Sequence, residues 1–191
     1  MFENIFQSNE IEYGIINGNN ILVYIKSGRG GDIYGYRNKY LIMAEQINRN
    51  YGYSVFVASN PVEINHEDNI PLDMETIREK MPRTEEILAF GHSNGGQLLL
   101  TYAYKYPMIK RVLAVNAPLM INLHKTKRGI EMFNGKKMVA VYGDKDPSYD
   151  FIKLLESCES EKFGYAIIKN ADHYFINMFE DFINLPMEYL L

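Results

Sequence analysis

The sequence predicts an α/β fold: a doubly wound, mostly parallel sheet with an antiparallel hairpin at its N-terminal edge. Three observations carry this. Short runs of aliphatic and β-branched residues alternate with stretches of helical periodicity along nearly the whole chain. The connections between them are short, as crossovers within one sheet require. Several of the runs are apolar almost throughout, the pattern of strands covered on both faces.

Residues 11–16 and 20–26 are two β-rich runs joined through Asn17-Gly18-Asn19, and Asn-Gly is a strong hairpin signal. The second run, Ile21-Leu22-Val23-Tyr24-Ile25, ends in the glycine-rich loop Ser27-Gly28-Arg29-Gly30-Gly31. A helix is expected from about Gly35 to Asn50, with Tyr36, Tyr40, Met43, Ala44 and Ile47 at helical spacing. The strand Tyr53–Ala58 follows, stopped by Asn60-Pro61, and then a helix from about Asp73 to Lys80. The apolar run Ile87–Phe90 leads through Gly91-His92-Ser93-Asn94-Gly95-Gly96 into the helix-prone Gln97–Tyr104. Further strands are expected at Arg111–Asn116, Met138–Tyr142 and Tyr165–Ile168, with helices at Lys125–Phe133, Tyr149–Cys158 and Tyr174–Leu185.

The bulk properties narrow the class. A chain of 191 residues with no internal repeat or linker reads as one domain, 1–191, long enough to bury a sizeable core. A formal net charge of −4 argues against non-specific nucleic-acid binding, which needs a surplus of basic residues. Met1–Phe6 lacks the basic start of a secretory signal, and the best apolar stretch, Val112–Leu123, is broken by Asn116, Pro118 and Asn122. A membrane partner is therefore not expected. The one cysteine, Cys158, has no partner for an internal disulfide, which fits a reducing cytoplasm.

The chemistry is expected at Ser93. Strand, tight turn and helix put a serine at the apex, where flanking side chains would collide; Gly91 and Gly95 answer that demand. The hydroxyl then stands clear of the sheet at the positive end of a helix. In a parallel sheet, functional groups gather at the carboxyl ends of strands. Asp144 and Asp146 follow one strand in Gly143-Asp144-Lys145-Asp146-Pro147, and His173 follows another in Asn170-Ala171-Asp172-His173. From the residues alone, either aspartate can serve as the acid while the other caps a helix, and His173 can equally be a surface histidine beside Asp172.

The order serine at an elbow, then acid, then histidine, each after its own strand, resembles the α/β-hydrolase fold family over nearly the whole chain. The resemblance implies a Ser93–His173–Asp146 triad, with Asp146 as the second aspartate of the acid loop. It also implies an oxyanion hole from the backbone amides of Asn94 and Arg29, where loss of one donor typically costs about 10²–10³ in rate. One departure is Ser27, where many relatives carry histidine before the glycine. The donor is a backbone amide, so the hole survives the change, which bears instead on how firmly the loop is held.

The expected activity is hydrolysis of a small ester or related acyl substrate through a Ser93 acyl-enzyme. The short connection between residues 117 and 137 leaves little material for a lid, so short acyl groups are favoured. Thioesters, amides and transfer to another acceptor share this machinery. The alternative is a non-catalytic small-molecule or protein binding module on the same fold. No metal-ligand spacing and no phosphate loop is present, so neither metal nor cofactor is expected. His92 is read as packing beneath the elbow, the basic run His124–Arg128 as a solvated helix face, and Tyr34, Tyr36 and Tyr40 as pocket-lining or core residues.

Overall fold

A computed structural model describes residues 1–191. Its centre is an eight-stranded sheet: β1 (Asn4–Ser8), β2 (Ile11–Ile16), β3 (Ile21–Lys26), β4 (Ser54–Ala58), β5 (Glu86–His92), β6 (Ile109–Val115), β7 (Lys137–Gly143) and β8 (Phe163–Ile168). The spatial order is β1-β2-β4-β3-β5-β6-β7-β8. From β4 to β8 every pairing is parallel, while β2 runs antiparallel to both β1 and β4. Five α-helices cover it: α1 (Lys39–Tyr51), α2 (Asn69–Lys80), α3 (Asn94–Tyr102), α4 (Leu123–Met132) and α5 (Phe179–Tyr189). No helix is long and apolar enough to cross a membrane.

Alternation along the strands divides the core in two. Leu22 and Tyr24 of β3 face α2, α3 and α4, whereas Val23 and Ile25 face α1 and α5. All four are fully buried, which is why β3 reads as a continuous apolar run. Leu98, Leu99 and Leu100 of α3 are buried on successive positions, so this helix is enclosed all round and anchors the elbow that precedes it.

The edge hairpin is one strand earlier than the sequence indicates. It joins β1 to β2 through Asn9 and Glu10, both at positive φ (50° and 65°) as a two-residue hairpin turn requires. Asn17-Gly18 is not a hairpin: neither residue has positive φ, and β4 lies between β2 and β3. The segment instead passes under the start of β4. There the Gly18 amide donates to Ser54 Oγ at 2.9 Å and the Asn19 amide to the Gly52 carbonyl at 2.8 Å. A Cβ on Gly18 would lie 2.4 Å from that carbonyl oxygen, so the glycine answers a close backbone approach rather than a turn. The final helix also starts later than expected. Asp172 Oδ1 accepts the amides of Tyr174 and Ile176, each at 3.1 Å, and holds the residues after His173 in a turn. The segment Tyr149–Cys158 is 3-10 rather than α-helical, and α2 begins at Asn69, with Pro71 in its first turn where its missing N–H costs nothing.

One buried ion pair ties the site's scaffold together. Lys26 Nζ, at the end of β3, lies 2.7 Å from Asp73 Oδ2 on α2, and both side chains are fully buried. Lys26 also donates to the Ser59 carbonyl at 2.8 Å, and the Tyr24 hydroxyl donates to Asp73. Removing one member strands the other charge in the interior, so Lys26→Met should cost about 3–5 kcal/mol of stability in urea unfolding. A loss below about 1 kcal/mol would show that the pair does not fix β3 to α2.

Candidate active site

Ser93 sits between β5 and α3 with φ 54° and ψ −124°, a strained conformation for a non-glycine residue. Its neighbours leave no room for side chains: a Cβ on Gly91 would come 2.6 Å from the Gly95 backbone, and one on Gly95 would come 2.4 Å from the Lys26 carbonyl oxygen. Strand end, helix start and the exit of β3 are therefore packed backbone to backbone. The Ser93 hydroxyl is presented at the α3 N-terminus, where the positive end of the helix favours developing negative charge.

The residues expected to partner Ser93 meet there. Its Oγ donates to His173 Nε2 at 2.9 Å, and His173 Nδ1 donates to Asp146 Oδ2 at 2.5 Å. A carboxylate only accepts, so the proton on His173 belongs at Nδ1 and Nε2 is free to take the serine proton. Asp146 is buried, and its other oxygen accepts the Ser148 amide at 2.7 Å. Asp144 faces away and accepts the Asn170 amide at 2.7 Å, bracing the acid loop against the loop after β8.

Arg29 and Asn94 both border the same open cavity, of about 540 Å³, with Ser93, Asp146 and His173 in its wall. The neighbouring amides of the Arg29 loop are engaged: Gly30 donates to the Asn60 carbonyl at 2.6 Å and Gly31 to the Gly28 carbonyl at 2.8 Å. Neither the Arg29 nor the Asn94 amide is taken by a protein acceptor. The Arg29 guanidinium donates to the Val62 carbonyl at 3.1 Å.

Ser27 and Asn60 hold that loop. Ser27 Oγ donates to the Gly31 carbonyl at 3.0 Å, and Asn60 Nδ2 donates to the Ser27 carbonyl at 3.0 Å and to Asn94 Oδ1 at 3.1 Å. Both residues are buried, so the serine in place of histidine closes the loop on itself. Asn116 does similar work on the other side. Its Oδ1 accepts the Gly143 amide at 2.9 Å, and its Nδ2 donates to the carbonyls of Asp172 and His173 at 3.1 and 3.0 Å. One buried amide side chain thus joins the acid loop to the histidine loop.

Sequence reasoning missed Asn60, Asn116 and the pair His66–Gln97. Asn60 and Asn116 each stand just past the end of a parallel strand, which is the one signal that marks them. His66 borders the cavity, and its Nε2 donates to Gln97 Oε1; Gln97 Nε2 in turn donates to the Ile121 carbonyl at 3.2 Å. Of Tyr34, Tyr36 and Tyr40, none borders the cavity: Tyr40 is buried in the core, Tyr34 packs on Phe2, and Tyr36 is exposed. In the basic run, Lys125 pairs with Glu67 on the surface at 2.6 Å.

His92 is buried beneath the elbow, as read. Burial, helped by the nearby Lys39 charge, holds its pKa well below the ordinary 6.5, and burial also lowers that of His66. Above pH 6.5 His92 is neutral in both the folded and unfolded chains. Below it the unfolded chain binds a proton that the folded one refuses, so stability falls as pH drops, by up to about 1.4 kcal/mol per pH unit for each such group. Urea midpoints should decline between about pH 7 and pH 5, and His92→Gln should flatten that decline. An equal slope in the variant would remove His92 as its source.

No protein-family model and no curated protein sequence matches the chain. Solved structures do. Est1E from Butyrivibrio proteoclasticus superposes with a TM-score of 0.80 at 13% identity, covering 98% of this chain and 97% of its own. An alpha-beta serine hydrolase homologue from Coxiella burnetii gives 0.75 at 15% identity, with 98% and 97% covered. The thioesterase domain from the curacin biosynthetic pathway gives 0.67 at 12% identity, with 96% and 98% covered. Likenesses at such identities carry the fold, and with the strand order and the elbow they establish that the chain has the α/β-hydrolase fold.

Proposed function

We propose that the protein is a serine hydrolase that cleaves a small ester or related acyl substrate through a Ser93 acyl-enzyme. The observation that carries this reading is the unbroken row Ser93 Oγ, His173 Nε2, His173 Nδ1, Asp146 Oδ2, at 2.9 and 2.5 Å, opening on a solvent-accessible cavity. The structural neighbours, a serine hydrolase homologue and a thioesterase domain among them, support the reaction class.

In this mechanism Ser93 Oγ attacks the substrate carbonyl carbon while its proton passes to His173 Nε2. Asp146 stabilises the imidazolium and keeps the ring in the tautomer that accepts at Nε2. The tetrahedral oxyanion takes hydrogen bonds from the Arg29 and Asn94 amides, which cost no reorganisation because their loops are already fixed. Collapse expels the alcohol or thiol, which leaves with the proton from His173. Water then repeats the sequence on the acyl-enzyme and regenerates Ser93 and a carboxylic acid.

Between β6 and β7 the chain holds only a turn and the short α4. With so short a connection there, the cavity suits short acyl groups. The free, unpaired Cys158 supports a reducing, cytoplasmic setting.

A fluorophosphonate probe should label the wild-type protein and fail on Ser93→Ala. Asp146→Asn should lower kcat by about 10⁴-fold, because the ring loses the partner that fixes its tautomer. Chromogenic esters of increasing acyl length should show kcat/KM falling beyond short chains. Absence of labelling would overturn the hydrolase reading, and a strong preference for long chains would overturn the substrate class.

A further inference from the structure

His92 directly precedes the nucleophile, yet none of the chemistry above uses it. Its ring is only 3% exposed, so both nitrogens need partners. Nε2 lies 2.9 Å from the carbonyl oxygen of His173. A carbonyl only accepts, so Nε2 carries the proton. Nδ1 is then an acceptor, and the Tyr40 hydroxyl, 3.2 Å away, donates to it. The bonds run in one direction, from Tyr40 O–H to His92 and from His92 Nε2–H to the His173 carbonyl. Aromatic packing holds the ring in place: Phe182 meets it edge to face at 5.2 Å between centroids.

One end of this row stands on α1, in the core, and the other on the loop that carries His173. The His173 carbonyl belongs to the residue whose ring bridges Ser93 and Asp146. We propose that His92, acting with Tyr40, is a positioning residue that ties the His173 loop to α1 beneath the elbow, fixing the general base against Ser93. This role rests on the hydrolase reading. Asn116 separates it from a purely structural one: Asn116 Nδ2 also donates to the His173 carbonyl, at 3.0 Å. Losing His92 therefore leaves that oxygen partnered and cuts only the link to Tyr40.

The test compares His92→Leu, His92→Gln, Tyr40→Phe and the double variant Tyr40→Phe/His92→Leu, using a short-chain chromogenic ester and the fluorophosphonate labelling rate. His92→Leu should lower kcat by about 10²-fold with KM unchanged, the size expected when a small misplacement disturbs attack geometry. The Gln amide can still donate to His173 and should restore much of the rate. Tyr40→Phe should lower kcat less, and the double variant should be no worse than His92→Leu, because both changes cut one link. Additive losses, an unchanged kcat, or no difference between Leu and Gln would overturn the proposal. Should His92→Leu fail to fold, Tyr40→Phe and His92→Gln decide the matter by the same criteria. The His173 Nδ1 proton, followed by NMR, reads the link without turnover. A shifted resonance in Tyr40→Phe supports it and an unmoved one overturns it. Wild-type protein that neither labels nor turns over any ester would instead overturn the hydrolase reading.

Discussion

The backbone-to-backbone contact of β5, α3 and the end of β3 is the constraint on which the rest of the structure depends. Ser93 is held at φ 54°, a conformation disfavoured for serine, because Gly91, Gly95 and the Lys26 carbonyl are packed too closely for any alternative path. That one contact exposes the hydroxyl and aligns it with the helix axis. It also brings the Gly28–Gly31 loop alongside, since that loop begins where β3 meets the elbow. The topology reinforces it: the chain leaves β3 for β4 on one side and β5 on the other, which opens a crevice at the switch point.

Around this contact the loops are fastened by buried amide side chains rather than by apolar packing. Asn60 binds the loop after β3 to Asn94 at the start of α3, and Asn116 binds the loop after β7 to the loop after β8. An asparagine suits this task because it donates and accepts on one short, rigid side chain, so it satisfies two stranded backbone groups at once. Leaving such groups unpaired in the interior costs about 1–3 kcal/mol each, which is ample reason for the loops to hold one shape. The ion pair Lys26–Asp73 anchors the same region from below, at the last residue of β3. Rigidity at the rim is what electrostatic catalysis needs, because donors already in place require no reordering when charge develops.

Several of these features are legible in the sequence. The elbow showed in Gly91-His92-Ser93-Asn94-Gly95, because only glycine fits where two backbones touch. The acid and histidine loops showed because charged or titratable residues stood just past apolar runs. The edge hairpin was misplaced for an equally physical reason. Asn-Gly at 17–18 carries the chemistry of a tight turn, but Gly18 is there to let the Gly52 carbonyl approach, and a local motif does not reveal which backbone it will meet. The true turn at Asn9-Glu10 lacks glycine, and pairing with β4 imposes it from outside.

The sequence by itself determined the class of fold, the serine elbow and the pair of loops whose side chains meet Ser93, since each depends on residue types within one strand and the turn after it. Only the tertiary structure shows that Asp146 reaches His173 while Asp144 braces Asn170, because the two aspartates share one short loop. It alone assigned Asn60, Asn116, Tyr40 and His92, whose side-chain partners lie between 27 and 81 positions away, distances no periodicity encodes. Hydrogen bonds between loops are set by the order and register of strands, and those are fixed by how the whole chain buries its two apolar faces.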